Sequence, residues 1–355
     1  MKRRVCIEKK EIYNMPNLDE VIKNINKKAG SEIIGYGIPK RDYVRIPFTS
    51  PRMNYCTYGG IPTGRLIEFY GEEHGGKTTT ALDIVANFQQ QDERKVAYFD
   101  SENTLDVEWA IKLGVDVDNL ILFQPESQTA EDILQTILEM IDTGEVGLVI
   151  LDSIASMVSD QEMDRTIADK TYAGISMPLT TFGKKAEMKC KKQNCTIIGI
   201  NQIRDDLGAM WGGAVKTPGG KAWKHLCSVR MQFTRGSFIN EKGEEIKRSS
   251  ESPAGNLVLM SMTKNKTCPA NRRGGFYTIN YAYGIDYLKD LLDVAIKFDL
   301  IQKSGAWYTV CDPDTGEVKS EKMQGMNSVY EYFKDEDNEE VLTFVENYIE
   351  GKIGR

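Results

Sequence analysis

Histidine is nearly missing from this chain, with two residues in 355. Histidine-based metal sites and catalytic triads therefore have almost no material to work with. The seven cysteines are an odd number, scattered with no Cys-x-x-Cys pair and no Cys/His cluster. That pattern speaks against a zinc site and for reduced thiols in a cytoplasmic setting. No apolar run approaches the length that crosses a bilayer. The basic start, Met1-Lys2-Arg3-Arg4, lacks the apolar segment that follows in a signal peptide. No internal repeat or long low-complexity stretch occurs. Excess positive charge is also lacking: the net charge is −7, which by itself does not point to nucleic acid. The charge is uneven, however. Five lysines fall within residues 184–192, and acids gather in 335–340, so a local basic groove remains compatible with an acidic protein. The length suits one large domain with appendages, or two to three domains.

What is present is more specific. Residues Gly71, Glu72, Glu73, His74, Gly75, Gly76, Lys77 and Thr78 spell the phosphate-cradling pattern G-x-x-x-x-G-K-[ST]. Its glycines let backbone N–H groups turn toward an anion. Lys77 can reach β- and γ-phosphates, and the Thr78 hydroxyl can meet Mg²⁺. The context agrees. Residues 65–70 read as a strand entering the loop, and residues 79–86 as a helix leaving it with its positive end on the same anion.

Apolar strand candidates recur at 95–99, 120–123, 148–151 and 196–200, separated by helical stretches such as 130–142. Continuous apolar strands alternating with helices indicate an α/β fold with a mostly parallel sheet covered on both faces. Segments 228–233 and 255–260 alternate more and read as an antiparallel hairpin extending that sheet. Leu18, Val21, Ile22 and Ile25 fall at helical spacing, followed by a polar connection to about residue 57. Residues 286–355 read as helix, short hairpin turning at Asp312–Gly316, then helix. The expected division is 1–57, 58–285 and 286–355.

Strand ends in such sheets face the ligand crevice. Asp152 ends one strand and is placed to hold Mg²⁺ through water. Glu102 follows another strand and is the candidate to orient and deprotonate a hydrolytic water; a solvated loop acid is the bland alternative. Asn201-Gln202 end a third, where an amide can sense the γ-phosphate or merely cap the strand. The next segment, 205–218, is glycine-rich and carries Met210 and Trp211, which suits a switch loop.

Together with residues 59–65, 99–106, 112–116, 151–153, 201–204, 219–220, 228–230, 264–266 and 305–308, these motifs resemble a RecA-family recombinase of the bacterial or bacteriophage kind. The resemblance implies a RecA-like P-loop ATPase core with an N-terminal helix that docks on the next subunit and a small C-terminal α/β module. It implies ATP and Mg²⁺, a homo-oligomeric helical filament on single-stranded DNA, and strand exchange with homologous double-stranded DNA, with no membrane. Glu102 matches the catalytic glutamate and Gln202 the residue coupling γ-phosphate to DNA. Lys264 and Lys266 match lysines that reach the nucleotide of the adjacent subunit. Thr79 continues the phosphate loop, and Asp106, Trp109 and Tyr281 fall at adenine-contacting positions. DNA-contacting positions are Arg165, Lys170 and Tyr172 in a first loop, then Arg204, Met210, Trp211, Gly219 and Gly220 in and around a second.

The chain also departs from the family. Leu259 and Ser261 stand where bacterial relatives carry basic residues for the second DNA, with Lys242, Lys247, Arg248, Arg272 or Arg273 as possible substitutes. His225 replaces an interface aromatic, Asp205 and Asp206 put acids in a DNA loop, and the long acidic tail is absent or shortened. Two other functions stay open on the same core: a filament mediator without strand exchange, and a hexameric helicase.

Overall fold

The computed structural model describes residues 17–30, 32–37, 43–166, 174–205, 215–241, 243–247 and 252–354. Lys170, Tyr172, Asp206, Met210, Trp211, Lys242 and Arg248 lie outside them. Contacts divide the chain into Met1–Asp42 and Tyr43–Arg355.

In the first unit, the helix Leu18–Ala29 begins where the Asn17 side chain accepts from Asp19 N (3.3 Å) and ends at Gly30, whose φ is 66°. None of its side chains is buried, and Leu18 is 59% exposed, so the apolar stripe predicted from spacing finds little cover.

The second unit is built on a ten-stranded sheet. In chain order its strands are β1 (Leu66–Gly71), β2 (Lys95–Asp100), β3 (Leu120–Phe123), β4 (Val146–Asp152), β5 (Thr196–Gln202), β6 (Val229–Ile239), β7 (Glu245–Ile246), β8 (Gly255–Asn265), β9 (Gly274–Asn280) and β10 (Gly284–Ile285). The spatial order is β10-β9-β8-β6-β1-β5-β4-β2-β3, with β7 added beside β6. From β6 to β3 every pairing is parallel, and from β6 outward every pairing is antiparallel. The parallel strands are the apolar runs of the sequence. β1 is buried at all six positions, and β4 and β5 at all but the last. Helices Lys77–Gln91, Ala130–Asp142 and Ser176–Gln193 close the two faces, giving two separate apolar layers, one around Ile84, Tyr98 and Phe233 and one around Ile137, Leu179 and Trp223.

Two local expectations are incomplete for identifiable reasons. The connection expected up to residue 57 contains the helix Pro51–Thr57, with Ser50 as N-cap and proline in the first turn, and Met53 and Phe48 join the core. Near the C-terminus, Trp307–Val310 pairs mainly with Ile301–Ser304, because Gly305 (φ 63°) makes a tight turn before it. The predicted turn at 312–316 exists, and beyond it a Cys311–Val318 bridge forms and Met323–Gln324 pairs back with Trp307–Tyr308, so the expected hairpin is the second half of a three-stranded sheet. A third cluster around Leu292, Val310, Val329 and Val345 holds these C-terminal elements together. No helix among the described residues is long and apolar enough to cross a membrane.

Asp290, on the helix Tyr287–Lys297, has no solvent exposure. Burial pushes its carboxyl up to about 8, against the Ser50 hydroxyl, the Arg52 charge and the Thr278 N–H. The folded chain therefore keeps a proton that the unfolded chain releases near pH 4. The stability linked to that proton is complete below about pH 4 and is lost as pH rises toward about 8. Asp290→Asn should flatten the decline of thermal stability across that window; parallel melting curves for both chains would contradict this.

Candidate functional site: a phosphate loop at three strand ends

The loop between β1 and the helix Lys77–Gln91 is tight. A Cβ on Gly71 (φ 155°) would overlap the Phe233 carbonyl oxygen, and one on Gly76 (φ 92°) would lie 2.7 Å from Val258 Cγ2. The Glu72, Glu73 and His74 side chains point to solvent. Lys77 is 8% exposed, and its Nζ donates to the loop's own carbonyls, Gly71 O (3.2 Å) and Glu72 O (2.6 Å). Burial lowers its pKa, opposed by Asp152, Glu102, Glu73 and Glu72. An ammonium curled into a ring of backbone, at a helix N-terminus, has the geometry of a cation awaiting anionic oxygens.

Asp152 closes β4 beneath this loop. Its Oδ2 accepts from Thr78 Oγ1 and from Tyr98 OH, both at 2.9 Å. Burial raises its pKa, the two hydroxyls pull it back, and Glu102 and Asp100 raise it further. The Asp152–Ser153 peptide bond is cis. Ser153 Oγ donates to Glu102 Oε1 (2.5 Å), and Gln202 Nε2 donates to the same oxygen (3.3 Å). Lys77, Thr78, Asp152, Glu102 and Gln202, predicted from four separate stretches, thus form one cluster.

Behind Gln202, Asn201 is fully buried. Its Nδ2 donates to Glu68 Oε1 (2.9 Å) and to Pro218 O (3.0 Å). Glu68, fully buried in β1, also pairs with Arg230 of β6. The two flanks of residues 206–214 are therefore joined twice, by the pairing of Arg204–Asp205 with Val215–Lys216 and by Asn201, which ties Pro218 to the Glu68–Arg230 pair.

The cleft beside the loop has a volume of about 600 Å³ and is lined by Gly76, Thr79, Asp106, Trp109, Lys112, Arg235, Asn256 and Tyr281 among others. Asp106 caps the helix Val107–Lys112, which sets Trp109 against Thr79 (Nε1 to Oγ1, 3.3 Å). Tyr281, 41% exposed, donates to Asn256 Oδ1 (2.9 Å). The two aromatic residues line one cleft, as a planar base requires.

The donor set also suits Mg²⁺. Thr78 and Asp152 supply two oxygens, and no cluster of three or more His, Cys, Asp or Glu occurs among the described residues. Two protein oxygens fit an ion that keeps most of its waters and shares the substrate's phosphates.

Other predicted residues lie apart. Lys264 and Lys266 do not line this cleft; their ammonium groups cap the helix Gly220–Leu226, Lys264 on Lys224 O (2.5 Å) and His225 O (2.9 Å), Lys266 on His225 O (3.0 Å). Gly219 and Gly220, with φ of 90° and 72°, begin that same helix. Arg165 follows the short helix Asp160–Met163. Arg204 is exposed. Of the candidates for a second DNA surface, Lys247 and Arg273 are exposed, whereas Arg272 lies between the Tyr55 and Tyr58 rings (4.0 Å each) and donates to Ile353 O (2.8 Å).

Comparison with known proteins decides the family. A model described as the RecA N-terminal domain matches residues 16–286, and one described as the RecA C-terminal domain matches residues 289–354. The chain belongs to the RecA family. It is 36% identical over 295 residues to Protein RecA of Clostridium tetani, covering 83% of this chain and 78% of that protein. It is 34% identical over 341 residues to Protein RecA of Staphylococcus carnosus, covering 95% and 90%.

Tyr98, Ser153, Glu68, Arg230, Lys112, Arg235 and Asn256 were given no role by the sequence reading, although Lys112, Ser153 and Arg230 fall in stretches that carry the resemblance. A lone charge inside the apolar strand β1, Glu68, was the available signal for the Glu68–Arg230 pair. Tyr98 between Ala97 and Phe99 reads as ordinary core.

Gly76→Ala should strain the loop by about 1–3 kcal/mol, visible as a lowered melting temperature without nucleotide. An unchanged melt would mean the loop relaxes freely.

Proposed function

We propose that this chain is an ATP-dependent DNA recombination and repair protein. It assembles as a helical filament on single-stranded DNA, pairs that strand with homologous duplex, and hydrolyses ATP to turn over in the cytoplasm. The observation that carries this reading is the Gln202–Glu102 contact (3.3 Å) beside Lys77 and Asp152, on the strand that leads into the 206–214 loop. RecA-family membership supports it.

In this reading Lys77 exchanges its two backbone carbonyls for β- and γ-phosphate oxygens. Bound Mg²⁺ supplies charge neutralisation at those oxygens, with Thr78 and Asp152 on its protein side. Ser153 and Gln202 hold Glu102 Oε1, leaving Oε2 to accept a proton from an in-line water. That water's oxygen bonds to the γ-phosphorus as the bond to the β-phosphate oxygen breaks. Gln202 moves between Glu102 and the γ-phosphate, and the shift passes to the DNA loop through the strand end. Trp109 and Tyr281 stack on the base, with Asp106 beside them. Lys264 and Lys266 leave the helix carbonyls to reach the neighbouring subunit's nucleotide, which makes hydrolysis depend on assembly.

Residues 1–57 act as the docking arm, with the uncovered stripe of Leu18–Ala29 seated on the next subunit; 58–285 act as the motor and 286–355 as an accessory module. Arg165, Lys170, Tyr172, Arg204, Met210, Trp211, Gly219 and Gly220 serve the first strand, where cations meet phosphates and aromatic or apolar groups meet bases.

One observation favours a second reading, a mediator without strand exchange. Leu259 and Ser261 are exposed on β8 and uncharged, so that face offers a second DNA no cation at either position. Filaments that form without joint molecules would support the mediator.

ATP hydrolysis should rise at least tenfold when single-stranded DNA is added; well-folded protein with no stimulation would overturn the proposal. Lys77→Ala should abolish MgATP binding in a direct titration. Glu102→Gln should bind nucleotide normally, hydrolyse it about 10²-fold more slowly, and prolong filament life. Unchanged turnover would remove Glu102 from the role of base.

A further inference from the structure

Tyr98 is 1% exposed in the middle of β2. Its ring belongs to the apolar layer with Leu148, Ile150 and Ile84, where a phenylalanine would pack as well. A hydroxyl placed there costs free energy unless it is partnered. The partner is specific. The parallel register sets Tyr98 beside Ile150, two residues before Asp152 on the same face of β4, so the phenol reaches along the sheet to the strand's last carboxylate. It donates to Asp152 Oδ2 at 2.9 Å, the oxygen that also accepts from Thr78 Oγ1. Both hydroxyls fall on Oδ2, and none among the described residues falls on Oδ1.

The two donors are not equivalent. Thr78 lines the nucleotide cleft and has a second task there; Tyr98 does not line it, and its hydroxyl has Asp152 as its hydrogen-bond partner. A donor fixed in the core orients a carboxylate whatever occupies the cleft. We propose that Tyr98 is a positioning residue for the metal, holding Asp152 by Oδ2 so that its carboxylate is presented to the divalent cation arriving with the nucleotide. The proposal rests on the nucleotide reading above and adds to it a residue that touches neither nucleotide nor metal. It also explains why a buried position of β2 carries a phenol.

The test uses the full chain, a non-hydrolysable ATP analogue and Mn²⁺ as probe, with free Mn²⁺ followed by electron paramagnetic resonance. Tyr98→Phe removes one oxygen and keeps the ring. It should raise the Mn²⁺ concentration for half-saturation about tenfold or more, and leave analogue binding in EDTA within twofold of the parent chain. A purely structural role for Tyr98 would weaken both together. Equal Mn²⁺ half-saturation in the two chains overturns the proposal. If the parent chain binds neither analogue nor Mn²⁺, the nucleotide reading fails instead, so the two failures are distinguishable. Should Tyr98→Phe fold poorly by its melt in EDTA, Tyr98→Leu carries the same comparison with the same two outcomes.

Discussion

One hydrogen bond, Gln202 Nε2 to Glu102 Oε1, joins two strand ends that have different duties. Glu102 follows the strand that delivers the candidate base; Gln202 ends the strand that runs on toward the candidate DNA loop. Everything else in the site serves to bring this amide and this carboxylate to the mouth of the phosphate loop. Parallel pairing does most of that work. β1, β5, β4 and β2 lie side by side and point the same way, so Gly71, Gln202, Asp152 and Asp100 emerge at one edge. The charged and polar groups of the cluster are therefore collected where backbone pairing stops.

The support beneath the contact is unusually polar for a sheet interior. Glu68 and Arg230 are paired across β1 and β6, with Asn201 bridging from Glu68 to Pro218. A buried ion pair of this kind adds little net stability, but removing one partner is costly. Its value here is geometric. It fixes which way Asn201 points, and with it the starting position of Gln202 on the opposite side of the same strand. Tyr98 has the same logic on β4, since a core-anchored donor sets the direction of Asp152. Lys264 and Lys266 complete the picture by capping carbonyls of the helix that follows the candidate DNA loop.

Much of this was legible beforehand, and the reasons are physical. The glycines of residues 71–76 are demanded by positive φ and by close approach of Phe233 and Val258, so the motif carries its own geometry. Buried parallel strands are apolar almost throughout, and β4 and β5 were found from that alone, whereas β1 was read from its place before the phosphate loop. The helix Leu18–Ala29 was visible from its spacing. The misses share another cause. The helix Pro51–Thr57 is about two turns long, too short for periodicity to register, and only Ser50-Pro51 announced it. The C-terminal strand Trp307–Val310 takes a second partner across Gly305, besides the one across the longer turn, and that first strand was not read from the sequence. Tyr98 and Ser153 matter through contacts with residues far away in sequence, which no local pattern encodes. The resting place of Lys264 and Lys266 is likewise set by a helix some forty residues earlier.

The central claim is that the nucleotide dictates the grip on DNA through Gln202. The most direct measurement is single-stranded DNA affinity with a non-hydrolysable ATP analogue and with ADP, in the parent chain and in Gln202→Ala, at one fixed salt concentration. The account predicts that the analogue tightens DNA binding by about tenfold or more over ADP in the parent chain, and by less than about twofold in the variant, with analogue affinity itself little changed. An equal tightening in both chains would contradict it.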